Sequence, residues 1–472
     1  MFSFKRFLIL ALVLVFVGQG CTKGPSPQAR ALSQRVIIAV WGVGDDIDAY
    51  QSLFDQFRKG HPYVEIQFKR FRLEEYEEAL LNAFAEDRGP DVYLIHNTWT
   101  DKYLPKITPA PPTVTHALQV ASGGGVGGQS VTIEVQTVRT PSPRAVRDEF
   151  PEVVAKDVIR EVDVSTTPDQ RVMEERVLGL PSSIDTLALY YNKGLLNAAG
   201  IPTPPETWDE FQAQVKRLVR YGQDGAILRA GAGLGLGMNV ERAADIIAVL
   251  MMQNRTEMTN EDGDPTFTQV PRTAQGGRVE APGLQALRFY SDFANPAKEV
   301  YTWNAEQPNS LEAFMQGTSA FFVGYQYHLP LIRARAPRLN MGIAPLPQIA
   351  GNEEVNFANY WNWTVAKKTK SPDLSWLLVN EMTSRENVKT YLDYAKHPAA
   401  RKALLSDQYE DEEIGVFATQ VLTARSWFRG VDPRAAERAL IEMLEKAPAA
   451  ESADKLMEYL RQAQEKVEQA IY

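Results

Sequence analysis

Apolar and polar positions switch between two periods along this chain, and the switches mark its elements. Val36 to Val40 is an unbroken apolar run of strand length, and Trp41-Gly42-Val43-Gly44-Asp45 reads as a loop at its carboxyl end. Ile47, Tyr50, Phe54 and Phe57 then recur at helical spacing, closed by Gly60-His61-Pro62. Val64 to Phe68 alternates as a second strand, Glu74 to Phe84 reads as a helix, and Asp91 to Ile95 is a third strand leading into His96-Asn97-Thr98-Trp99. Strand, helix, strand, helix, strand predicts a parallel, doubly wound opening. Ligands of such sheets sit beyond the carboxyl ends of strands, which makes Trp41 a candidate contact.

Residues 109–145 break that rhythm. Pro109, Pro111 and Pro112 precede a Gly123–Gly128 tract without core-forming content, and Val131 to Val135 alternates like a strand. The segment reads as a partly flexible insertion, with a protruding hairpin one form it could take. A phosphate-cradling loop needs a following helix and a Lys-Ser or Lys-Thr pair, and neither is present. Phe150 to Ile159 then looks helical. From Gly179 the pattern sharpens: Thr186 to Tyr191 is a strand-length apolar run between Pro181 and Asn192-Lys193-Gly194. Leu195 to Ala199 reads as a short helix stopped by Gly200, and Pro202, Pro204 and Pro205 force extended chain. Thr207 with Glu210 three residues on has capping-box spacing.

Further along, Gly231–Gly237 matches a dinucleotide fingerprint only loosely, with Leu236 where the third glycine would stand and no convincing strand before it. Ile246, Ile247, Leu250 and Met251 give the next helix an apolar face, and the methionines read as core filler. A polar loop over 254–283 leads to a helix from Leu284 to Phe293. Helix Ser310 to Gln316, strand Ser319 to Val323 and strand Met341 to Pro347 follow. Pro372 to Met382 is a further helix, Tyr391 to Pro398 begins the last crossing of the chain, and the chain after Glu410 is helical.

In order and in residues, the Gly179–Phe211 stretch resembles the signature segment of extracellular solute-binding proteins of the maltose-binding-protein-like, sugar-binding family. The strand followed by Trp41, the helix before His61-Pro62, and Gly89-Pro90-Asp91-Val92 before a loop are similar to that family's opening. The resemblance implies an α/β, two-lobed periplasmic-binding-protein-like fold of class II, with three crossing segments as hinge. It places residues 35–182 in the first lobe, with the 109–145 insertion outside the family pattern, and 183–360 in the second. Residues 361–400 would return to the first lobe, and 401–472 would add helices, mainly to the second. Asn239 to Ala243 matches a helix start of the family. Gly324-Tyr325-Gln326-Tyr327-His328 matches an aromatic loop, and Trp427-Phe428-Arg429 a last cleft aromatic.

Length agrees, because 472 residues exceed one ordinary core. A net charge of −9 argues against a nucleic-acid surface. Cys21 is the single cysteine, so no internal disulfide forms. Before it stand Lys5, Arg6, the apolar run Phe7 to Val17, and Gly18-Gln19-Gly20, although Gly18 occupies a place where an aliphatic residue is usual. The segment 1–20 resembles a lipoprotein signal peptide, with Cys21 as lipidated terminus and 21–34 as a flexible tether outside the membrane.

Aromatic residues supply the chemistry. Trp41, Trp99, Trp303, Tyr325, Tyr327, Tyr360 and Trp361 fall at expected strand exits or crossings, with Trp427 in a later loop. Rings pack on the C–H face of a sugar while Asp45, Asn97, Asp185, Asn239, Gln326 and Asn359 could pair its hydroxyls. Glu74, Glu75, Glu77 and Glu78 lie along one helix, cannot face one another across a bond, and read as a solvated face. His61 and His96 lack further metal ligands at a recognisable spacing. These features point to a monomeric binding protein that takes a carbohydrate between its lobes and serves the permease subunits of an ABC importer. No catalysis, cofactor, metal or nucleic acid is expected. The alternatives are a polyol, a sugar phosphate or a peptide as solute, a sensory rather than transport role, or a secreted polysaccharide hydrolase.

Overall fold

Continuous apolar runs become strands covered on both faces, as a sheet between helical layers requires. The computed structural model describes residues 25–122, 130–165, 171–270 and 280–472; the signal-like run, Cys21 and the Gly123–Gly128 tract lie outside them. Among the described residues, no helix is long and apolar enough to cross a membrane.

The first-lobe sheet has five strands in the order Val64–Phe71, Val36–Val43, Val92–His96, Trp361–Val365 and Leu180–Pro181. The first three run parallel, as the strand–helix alternation predicts, while Trp361–Val365 returns antiparallel to Val92–His96. The second sheet orders Arg220–Tyr221, Ile227–Ala232, Ser319–Gly324, Ala188–Asn192 and Met341–Pro345. Leu187 and Leu189 enter the large second core, whereas Ala188 and Tyr190 enter a smaller cluster on the other face. That division explains the unbroken Thr186–Tyr191 run: period-two alternation carries an apolar residue to each side.

Local signals hold in the central stretch. Gly200 takes φ +65° after the Lys193–Ala198 helix. Thr207 and Glu210 form the reciprocal capping box that opens the Trp208–Leu218 helix, whose Trp208, Phe211, Val215 and Leu218 are buried. Pro372–Met382 is a helix as predicted.

Several elements differ from the sequence reading. The first strand runs on through Val43, so Trp41 lies within it rather than in a loop. The expected tether contains the helix Pro27–Leu32, capped by Ser26, with Ala29 buried. A strand, Ile227–Ala232, does precede the Gly231–Gly237 segment. The insertion holds Thr113–Ser122 paired antiparallel with Ser130–Arg139 over ten rungs, a longer ribbon than the period-two run at Val131 announced. A second hairpin joins Ile159–Asp163 and Met173–Val177 where helix was expected to end. The last crossing is Ala424–Arg425, not Tyr391–Pro398, and Leu404 and Leu405 still belong to the first core. The final helix, Ala453–Ile471, buries Leu456, Leu460 and Val467 in the second core.

The ribbon is fastened to the first lobe by two buried histidines. His61 Nδ1–H donates to the Phe57 carbonyl (3.0 Å), leaving Nε2 to accept from His116 Nδ1 (2.9 Å) on the ribbon. Burial lowers both rings from the ordinary imidazole value of 6.5, which favours their neutral forms. One proton leaves a single N–H between the rings, whereas protonation of both would set two N–H groups against each other. A depressed imidazole stabilises above its unfolded value and loses that contribution as pH falls through its folded one. Amide protection in 113–122 and 130–139, corrected for intrinsic exchange, should hold at neutral pH and fall as pH drops below 6.5. His116→Phe should reduce that dependence, leaving His61 to titrate alone.

Candidate functional site

Three strands cross between the lobes within one small sheet: Asn356–Asn359 is central, Asp185–Thr186 pairs antiparallel to it and Ala424–Arg425 parallel. Above this sheet lies a cavity of about 830 Å³ lined by both lobes. That volume sits in the range of small-ligand sites.

The first-lobe wall is aromatic. Trp361 opens its strand opposite His96, and Trp99 sits in the turn Asn97–Trp99 that ends the neighbouring strand. The two indoles meet edge to face at 5.2 Å, and Trp361 also meets His96 at 5.3 Å. Burial pushes the His96 imidazole down to about 4, so it stays neutral, between Thr98 Oγ1 (2.8 Å) and Asn359 Oδ1 (2.7 Å). The second-lobe wall combines Tyr327, 43% exposed, with Trp427, Phe428, Arg242, Asp245 and Glu437.

Arg242 holds a left-handed backbone, φ +56°, at the start of the Ala243–Gln253 helix. Such a conformation is costly for any residue with a Cβ, and sites that position ligands are where it recurs. Its guanidinium binds Asp245 Oδ2 through Nε (2.9 Å) and Nη2 (2.7 Å), with Glu437 at 3.8 Å. Burial pushes Glu437 above its ordinary value. At the floor, burial raises Asp185 to about 7, although Gln326 and Tyr327 N–H groups donate to its two oxygens at 2.9 and 3.1 Å.

Of the expected contacts, Asp45, Trp99, Asp185, Tyr327, Asn359, Tyr360, Trp361 and Trp427 line this cavity. The other six, Trp41, Asn97, Asn239, Trp303, Tyr325 and Gln326, do not. Trp41 packs its ring on Phe71 at 4.5 Å, under Lys69. Trp303 is fully buried and donates Nε1–H to Asn239 Oδ1 (3.0 Å), while the Asn239 amide donates to Asn304 and Gln307 carbonyls. These two residues hold a loop of the second lobe together. Tyr325 is fully buried, and its hydroxyl donates to Asp245 Oδ2 (2.7 Å), so it orients a cleft carboxylate instead of facing the cavity. Asn97 is buried and donates to Asp157 Oδ2 (3.2 Å). Tyr325 and Tyr327 part company because the strand ends at Gly324 and the chain turns into the His328–Arg335 helix, leaving Tyr325 buried and Tyr327 exposed.

The sequence reading passed over Arg242, Asp245, Glu437 and His397, because no local pattern separates them from surface charge. It also took Glu77 for part of a solvated face. Glu77 is 3% exposed and binds Lys102 (2.6 Å) and, across the cleft from the second lobe, Arg434 (2.7 Å). Asp157 is likewise buried, binding Arg429 and Ser426 at 2.8 Å and Tyr360 at 2.7 Å. Among the described residues, no group of three or more His, Cys, Asp or Glu is placed to hold a metal ion.

Comparison with known proteins agrees with the two-lobed architecture. A cyclo/maltodextrin-binding protein solved with maltotetraose superposes with a TM-score of 0.65 at 17% identity, covering 92% of this chain and 98% of that one. The sugar-binding protein MalE of Xanthomonas citri gives 0.64 at 18%, covering 92% and 97%. By sequence, a binding protein of Brucella abortus is 27% identical over 186 residues, 39% of this chain and 41% of the relative. The galactooligosaccharide-binding protein of Bacillus subtilis is 21% identical over 296 residues, 61% and 64% respectively. These matches thus span less than two thirds of each relative. The family described as bacterial extracellular solute-binding protein matches residues 52–418, more than half of the sequence, and the chain belongs to that family.

Proposed function

We propose that the protein captures a carbohydrate in the interlobe cleft and presents it to the permease subunits of an ABC importer. It would act as a monomer on the outer face of the membrane, held there by lipid on Cys21. One observation carries the choice of solute: an 830 Å³ cleft whose walls set indole and phenol rings beside carboxylates and a guanidinium. Rings such as Trp361 and Tyr327 suit the flat C–H face of a sugar, and Asp45, Asp245, Glu437 and Arg242 suit its hydroxyls. The printed names of relatives point the same way, since they include binding proteins for galactooligosaccharide and maltodextrin.

A hydrolase reading has one observation in its favour, the raised carboxyl of Asp185. Both its oxygens accept backbone N–H groups, which turns them away from the role of proton donor to a glycosidic oxygen. Binding without turnover is the better reading.

Thermal-shift screening against mono- and oligosaccharides tests the proposal. A native-state ligand at a hundredfold excess over its Kd stabilises by about 2.7 kcal/mol. A shift with the sugar recovered intact is expected; cleavage products would instead support the hydrolase, and no shift with any sugar would remove the carbohydrate reading.

Substitutions separate cleft from core. Trp361→Ala and Tyr327→Ala should each weaken sugar binding about tenfold, roughly 1.4 kcal/mol, measured by calorimetry. The unliganded melting midpoint should barely move. Trp303→Ala should do the reverse, costing about 3–5 kcal/mol of stability as a cavity in the core. Arg434→Ala removes the tie to Glu77 across the cleft. Stopped-flow release should accelerate by up to about fivefold, in line with roughly 1 kcal/mol for a pair with one exposed partner.

A further inference from the structure

The floor of the cleft contains a side-chain bridge between the lobes. His397 follows the Arg385–Ala395 helix, whose Tyr391 and Leu392 lie in the first core. Its Nε2 meets Asp45 Oδ1 at 3.2 Å, and Asp45 belongs to the loop after the first strand. Its Nδ1 meets Gln326 Oε1 at 2.9 Å, and Gln326 follows the Ser319–Gly324 strand of the second lobe. The orientation of the Gln326 amide is fixed independently, because Nε2 donates to the Lys396 carbonyl (2.9 Å). A flipped amide would set two carbonyl oxygens against each other.

Both partners of the imidazole are therefore acceptors. A neutral ring offers one donor and one lone pair, so it can satisfy only one of them. The cation satisfies both. We propose that His397 is a proton-linked closure device, taking up one proton as the second lobe brings Gln326 against it and the first lobe supplies Asp45. The inference rests on the hinge and is independent of which solute binds.

The surroundings agree. Asp45 Oδ2 accepts the Tyr391 hydroxyl (2.7 Å) and the Tyr50 hydroxyl (3.3 Å), which keep its other oxygen aimed at His397. Burial would raise Asp45, but His397 and these hydroxyls outweigh it and hold the carboxyl below its ordinary range. Burial also works against the His397 cation, and Asp45 with the nearby Asp185 outweighs it and raises the imidazole. Gln326 N–H donates to Asp185 Oδ1, so the hinge strand joins the same network. The Tyr391 ring lies 6.2 Å from His397, and Lys396 precedes it in the chain.

The sign follows directly. An imidazole whose value rises on closure favours the closed form fully below its open-state value, and the advantage disappears as pH rises through the closed-state value. Between those values, closure weakens by up to about tenfold per pH unit, one proton's worth.

Two measurements on the unliganded protein test this. Long-range ¹H–¹⁵N correlation of histidine-labelled protein reads the protonation of each of the five imidazoles, and His397→Gln assigns the signal. Small-angle scattering reads the radius of gyration across the same pH series. His397 should be cationic through pH 6.5, and the radius should grow as its transition is passed. His397→Gln should abolish that step. Gln326→Glu, which adds a carboxylate beside the ring, should move the transition upward by about one unit or more, and it decides the matter if His397→Gln fails to fold. A neutral His397 at pH 6, a radius step that survives in His397→Gln, or an unmoved midpoint in Gln326→Glu would each overturn the proposal.

Discussion

Three short strands hold the molecule together where its halves meet. Asn356–Asn359 pairs with Asp185–Thr186 on one side and Ala424–Arg425 on the other, so three crossing segments enter one sheet. Two- to four-residue strands resist shear through their hydrogen bonds while leaving adjoining residues to absorb rotation, which is how hinged closure works. The cavity exists because both sheets direct their loops towards this point. Its floor is built from hinge residues, Asp185 and Asn359 among them.

Charge pairing then decides how the halves meet. Buried ion pairs contribute little net stability but cost several kcal/mol when one partner is lost, so they specify geometry more than they stabilise. Asp157, 1% exposed, draws Arg429, Ser426, Tyr360 and Asn97 to one point and anchors the last crossing on the first lobe. Glu77 does the same at the rim, through Lys102 in its own lobe and Arg434 opposite. Arg242 completes the set inside the cleft, where its left-handed backbone and its fork onto Asp245 fix the polar wall facing Trp99 and Trp361.

The same accounting explains which aromatics face ligand. Trp303 and Tyr325 each carry one polar atom, and each spends it on a buried partner, Asn239 or Asp245. Trp361 meets Trp99 edge to face, Tyr327 lies tilted on His328, and both line the cavity. All four looked equivalent in sequence, as rings near strand exits. What separates them is where each donor finds its acceptor.

The family and two-lobed fold were legible in the sequence because the signals are local: apolar runs of strand length, the Thr207–Glu210 capping box, and Gly200 after a short helix. Such patterns depend on backbone preference and solvent exclusion, which act over a few residues. The ribbon of 113–122 and 130–139 was only half legible, since its partner surface, including His61, lies 55 positions from His116. The cleft was legible only in part, because its chemistry comes from pairs such as Glu77 with Arg434, Asp45 with His397 and Arg242 with Glu437. Whether a charge is solvated, buried or bridging depends on what the far side of the fold places beside it. That was decided by tertiary structure alone.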